Sequence, residues 1–169
     1  MIRYNARMAA IDTAKCDRRH LRFESIDDVL REVDRLAELD RAGRLACLGN
    51  WSFGQIIGHL ATWSEFAFKP APLNPPWFIR LILRMLKSRR INSEMPAGVR
   101  IPGVADGTLG TEPTSLEVAL PRYRAALERL RRETPTAPSP AFGMLTQDEA
   151  IKLNLRHAEL HLGFVRERS

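Results

Sequence analysis

Three helix-opening signatures, each ahead of apolar residues at three- and four-residue spacing, constrain this chain more than any other feature in it. Ser52-Phe53-Gly54-Gln55 has the form of a capping box, in which the serine hydroxyl and the glutamine amide satisfy backbone N–H groups left free at a helix start. Trp51 before it and Ile56 after it can close a hydrophobic staple. A helix over about 53–68 is predicted, ending before Pro70. Thr114-x-x-Glu117 opens another over about 115–133, where Pro121 predicts a kink or a later true start. Thr146-x-x-Glu149 opens a last helix running to about 166. Ahead of these, Ser25 precedes Ile26, Val29, Leu30, Val33, Leu36 and Ala37 at helical spacing, with Asp27 and Asp28 at the positive end and Gly43 as a stop, which predicts a helix over about 26–42. No segment alternates with period two. Four main helices and almost no strand predict an all-α chain, a four-helix bundle.

The connection between the second and third main helices is long, 69–114, as in a bundle with one crossover. Pro70, Pro72, Pro75 and Pro76 break it, and a short amphipathic helix is predicted at about 77–89. There Arg80, Arg84 and Lys87 form a cationic stripe, and Phe78, Ile79, Ile82, Met85 and Leu86 cover the rest. Such a helix reads as an interfacial or dimer-forming element or, in the preferred reading, as a lid packed on the bundle. Residues 92–113, rich in glycine and proline, read as a loop covering a site. The expected organisation is an N-terminal arm, 1–24, and a single bundle domain, 25–169.

A chain of 169 residues has room for one core of ordinary size. No apolar stretch approaches the roughly 18 residues that span a bilayer, and the run Trp77–Leu86 is interrupted by Arg80 and Arg84. Arg3 and Arg7 have no apolar segment behind them, so no secretory signal is read and a cytoplasmic chain is expected. Cys16 and Cys47 stand alone, as reduced thiols do. The formal charge of +6 comes mostly from arginine, 22 of the 26 cationic residues. Arg18-Arg19, Arg89-Arg90 and Arg131-Arg132 are scattered without interleaved aromatics, so neither a nucleic-acid nor a membrane partner is expected.

Histidines carry the chemistry. His157 and His161, four residues apart, lie on one helix face about a turn apart, a spacing that lets two imidazoles reach one divalent metal. The pair is not a zincin motif, because Ala158 follows His157 and Glu159 points elsewhere. His59 shares a helix face with Gln55, Ile56 and Trp63, the side expected to face the bundle interior and a pocket. If the two helices are neighbours, all three rings can meet; otherwise each is a core histidine bonded to a carbonyl. Three neutral imidazoles leave at least one position open on a metal, and the donor set suits zinc or nickel. Asn154 and Thr62, each about a turn from a histidine, are candidates to orient the rings or else ordinary polar surface. No serine elbow, phosphate loop or carboxylate pair stands out.

Gly49-Asn50-Trp51-Ser52-Phe53-Gly54-Gln55-Ile56-Ile57-Gly58-His59-Leu60 and Leu155-Arg156-His157-Ala158-Glu159-Leu160-His161-Leu162-Gly163-Phe164 resemble the DinB-like superfamily, in the branch catalogued as domain of unknown function 1569. Asp17-Arg18-Arg19-x-Leu21-x-Phe23 and Phe142-Gly143-Met144 extend the likeness over about 17–166. The resemblance implies a four-helix bundle holding a metal on His59, His157 and His161, usually as a homodimer. It also implies an open metal position that activates a low-molecular-weight thiol, since characterised relatives include thiol-dependent S-transferases and a mycothiol-dependent maleylpyruvate isomerase. Ser139-Pro140 stands where the family often has His-Pro.

Two functions follow as expectations. One is a metal-dependent enzyme in which a bound thiol or water attacks a small-molecule electrophile. The alternative is a non-catalytic dimeric bundle, an interaction or stress-response protein with a vestigial metal site.

Overall fold

Side chains at the helix starts set the frame of the computed structural model, which describes residues 11–104 and 106–168. Ser25 opens α1 (Ile26–Arg41), and Asp28 completes a capping box with it. Ser52 and Gln55 do the same for α2 (Phe53–Glu65), as do Thr146 and Glu149 for α6 (Gln147–Leu162). α1 ends as expected at Gly43, whose φ of 68° lets the Arg44 N–H reach back to the Leu39 carbonyl at 2.8 Å. The architecture is mostly helical. Between α2 and α6 come α3 (Trp77–Met85), α4 (Lys87–Asn92) and α5 (Leu116–Arg132). A 3-10 turn (Thr13–Lys15) precedes α1, and a two-stranded antiparallel ribbon, β1 (Leu45–Cys47) with β2 (Val165–Glu167), completes the elements among the described residues. None of these helices is long and apolar enough to cross a membrane.

The long helices α1, α2, α5 and α6 pack on one another around a single core that includes Val29, Val33, Leu36, Ile57, Leu60, Tyr123, Leu127, Leu130 and Leu162. α2 lies closest to α5, and two glycines permit it. A Cβ on Gly58 would stand 2.7 Å from the Thr114 methyl, and one on Gly54 would collide with the Thr114 carbonyl oxygen and lie 2.8 Å from the Leu116 nitrogen. Backbone atoms cannot rotate away as a side chain can. Gly54→Ala is therefore expected to destabilise the fold by about 1–3 kcal/mol through overpacking, read as a lowered urea midpoint. An unchanged midpoint would mean that the α2–α5 contact yields without cost.

Three of the expected boundaries are corrected by the structure. Thr114 does not cap α5: Ser115 is the N-cap and makes no side-chain cap bond. Thr114 packs on Gly58 instead, and Glu117 pairs with Arg41 at 3.1 Å. Pro121 lies inside α5, within its first two turns, where its missing N–H costs one helical bond. The short helix expected over 77–89 is broken at Leu86 into α3 and α4. The last helix stops at Leu162 rather than about 166, because the chain beyond Gly163 pairs with β1.

This ribbon matters for the site. Leu45, Ala46 and Cys47 pair with Glu167, Arg166 and Val165, and the Leu48 N–H continues the ladder to the Phe164 carbonyl at 2.8 Å. The chain entering α2 is thereby tied to the chain leaving α6. Of the expected N-terminal arm, residues 1–10 lie outside the described residues. Its remainder is held on the core by Phe23, 6% exposed, and by the Arg19 N–H on the Gly163 carbonyl at 2.9 Å.

Candidate metal centre

α2 is buried around most of its circumference, and His59, 1% exposed, stands near its middle. A buried imidazole needs a partner for its N–H. The Leu109 carbonyl, in the crossover loop, accepts from His59 Nδ1 at 2.8 Å. With the proton on Nδ1, the Nε2 lone pair is free, and it faces His157 Nε2 at 3.1 Å. His161, one turn further along α6, brings its ring centroid to 4.5 Å from that of His59 and 4.7 Å from that of His157. One nitrogen from each ring lies within 4.8 Å of the others.

Aromatic walls hold the rings in place. Trp51, just ahead of the α2 cap, stacks on His161 with centroids 5.5 Å apart and planes 13° from parallel. Trp63, one turn beyond His59, meets the His157 ring in a T-shaped contact with centroids 5.8 Å apart and donates Nε1–H to the same Leu109 carbonyl at 3.2 Å. In this apolar setting the charged form of each imidazole is disfavoured. Burial pulls His59 down to about 4, and it pulls His157 and His161 well below the ordinary range, with the neighbouring rings adding to the effect. All three are therefore neutral at pH 7, the form that binds a metal. The trio can hold a metal ion, and no carboxylate belongs to the cluster among the described residues.

The trio forms part of the wall of a cavity of about 910 Å³. Apolar residues dominate its lining, among them Ile56, Phe66, Leu153 and Phe164. Ile79 and Leu83 of α3 close one side, and loop residues 95–102 and 106–108 border it. Polar groups are few; Asn50, Arg100, Asp106 and Asn154 are among them. A chamber of this size and character suits a small organic ligand.

The other sequence candidates separate. Trp63 lines the cavity, but Gln55 does not. It is used in the α2 cap, where its Oε1 accepts the Ser52 N–H at 3.0 Å and its Nε2 donates to the Thr111 carbonyl at 3.2 Å. Asn154 borders the cavity, yet it accepts from Ser64 Oγ at 2.7 Å and donates to the Ala150 carbonyl at 2.9 Å. Thr62 donates to the Gly58 carbonyl at 3.0 Å and accepts from Arg122 at 2.9 Å. Neither bonds a histidine. The ring support comes from Leu109, which no side-chain pattern marks. Ser139 and Pro140 line the cavity, so the position where the resemblance expects a histidine does face it. Cys47 does not serve as a ready nucleophile, because burial pushes its thiol up to about 11.

The family described as protein of unknown function (DUF1569) matches residues 15–168. No curated protein and no solved structure matches the chain.

Proposed function

The chain belongs to the DUF1569 family, and from that premise we propose that it is a metal-dependent enzyme on a DinB-like four-helix bundle of α1, α2, α5 and α6. The observation that carries the reading is the convergence of three neutral imidazoles from α2 and α6 on the wall of a large apolar cavity. His59, His157 and His161 would hold a divalent metal, zinc or nickel by the donor set, which would supply Lewis acidity and favour ionisation of a low-molecular-weight thiol or water near neutral pH. Three protein ligands suit a catalytic site with a position left for substrate, whereas closed structural sites use four.

The protein's own groups divide the remaining work. Leu109 fixes the His59 tautomer, so that Nε2 presents its lone pair. Trp51 and Trp63 limit rotation of the rings and keep water from their faces. The apolar walls favour a small electrophile with an uncharged body. As the family resemblance implies, the working unit is a homodimer, to be checked by sedimentation.

A second reading rests on the same 3.1 Å contact. Without metal, a proton on His157 Nε2 is donated to His59 Nε2, and the trio is a hydrogen-bonded core in a non-catalytic interaction protein. Elemental analysis of untagged protein, purified without chelator, separates the two. About one zinc or nickel per chain is expected, with consumption of an electrophile that requires the metal and, where a thiol is the nucleophile, an added thiol. No metal, and none taken up from micromolar zinc or nickel, would leave the second reading standing.

A further inference from the structure

α3 shows two faces of opposite use. Ile79 and Leu83 line the cavity. On the other side Trp77, Phe78, Leu81, Ile82 and Met85 are turned to solvent, Trp77 71% and Met85 79% exposed, and no residue of α3 is buried. At about 100° per residue these five side chains cover a continuous arc of roughly 140°. A lid would bury its apolar side against the bundle, so the expected lid accounts for only the smaller inner face.

The charge around this arc is one-sided. Residues 77–92 carry Arg80, Arg84, Lys87, Arg89 and Arg90 and no aspartate or glutamate. Lys87 pairs with Glu149 at 2.6 Å. No carboxylate lies within ion-pair distance of the four arginines among the described residues. Most arginines elsewhere are neutralised locally: Arg19 and Arg35 by Glu32, Arg122 by Glu65, Arg129 by Glu133 and Arg131 by Asp27. The pairs that look scattered along the sequence are thus mostly matched, and α3–α4 holds a concentration of unmatched cations. A shallow depression of about 280 Å³ lies on the outer surface between Trp77, Arg80, Leu81 and Arg84.

We propose that this outer face docks on an anionic lipid surface, with the Trp77–Leu81–Met85 edge entering the headgroup boundary and the neighbouring arginines facing lipid phosphates. This departs from the sequence-based expectation of no membrane partner. Tryptophan and phenylalanine beside aliphatic residues, flanked by unpaired arginines, is the composition of helices that lie in the interface plane. A second copy of the chain is the poorer occupant. A two-fold contact through α3 would bring the same unmatched arginines together from both copies, with no acidic residue of the segment to offset them.

The test uses the full chain with vesicles of phosphatidylcholine, alone or with about 30% phosphatidylglycerol. Co-sedimentation is expected with the anionic vesicles, at least about tenfold stronger than with the neutral ones, and weakened by salt between about 0.1 and 0.5 M. The exposed-site variants Trp77→Ala/Leu81→Ser and Arg80→Ala/Arg89→Ala should each reduce binding by about tenfold while the circular dichroism stays that of the parent. Equal binding to both vesicle types, or none to either, overturns the proposal. So does a dimer in vesicle-free solution that the Trp77→Ala/Leu81→Ser variant dissociates, since the face would then be occupied by a second copy.

Discussion

His157→Ala is expected to abolish metal retention, from about one ion per chain to a residue too small to measure, with affinity lowered by more than about a hundredfold. Loss of an outer group that merely orients a ligand costs 10–100-fold in comparable sites, and a direct ligand costs more. His157 is the ring whose Nε2 stands 3.1 Å from that of His59, so its removal leaves His59 and His161 with no third donor among the described residues. The fold should survive, because the ring borders an existing cavity and leaves no sealed void. Mass action supplies a second readout. Zinc at about 100 times its dissociation constant stabilises the parent by about 2.7 kcal/mol, and the variant should gain almost none of this in a thermal melt. Trp63→Phe is the milder companion. It removes one of the two donors on the Leu109 carbonyl and leaves all three imidazoles, so metal should still bind, less tightly. If zinc still raised the melting temperature of His157→Ala by the parent's full amount, the metal would lie elsewhere.

What could be read from the sequence follows the range of the interaction that decides each feature. The starts of α2 and α6 were legible because a capping box lies within four residues, and that of α1 because Ser25 and two acidic residues stand at the head of the apolar spacing. The start of α5 was not. Thr114-x-x-Glu117 has the right letters, but Thr114 is drawn onto Gly58, 56 positions earlier, and Glu117 onto Arg41. The end of α6 was missed for the same reason, since three pairings with β1 stop the helix and a three-residue strand is too short to show alternation. At the site, the spacing of His157 and His161 placed them on one face, and the pattern of α2 turned His59 inward. The group that fixes His59 is a backbone carbonyl of Leu109, which any residue type supplies. Charge was the least legible property. Only the spatial pairing shows that Arg122, Arg124 and Arg131 of α5 are matched by Glu65, Asp34 and Asp27 from other helices, while the arginines of α3–α4 are not.

Glu159→Ala is expected to lower stability by about 3–5 kcal/mol, the cost of stranding a buried cation. Arg156 and Glu159, on successive turns of α6, are 3% and 2% exposed and 2.9 Å apart. Their contacts converge on one peptide: Glu159 accepts the Phe23 N–H at 2.6 Å, and Arg156 Nη2 donates to the Phe23 carbonyl. Arg156 Nε and Nη1 are buried without any partner, so the guanidinium has little else to satisfy it once the carboxylate is gone. Glu159→Gln keeps an acceptor for the Phe23 N–H and should cost less, which gives a usable variant if the alanine form does not fold. Arg156→Met/Glu159→Leu removes both charges together and is expected to recover most of the loss. Urea unfolding of the four proteins measures the set. Equal losses for the single and double variants would show that the clamp on Phe23, rather than the ion pair, sets the stability. The pair lies on the side of α6 away from His157 and His161, by its position on the helix. It holds the helix from behind in the rotation that turns both imidazoles toward His59. Metal binding by Glu159→Gln should therefore weaken only where the fold itself begins to open.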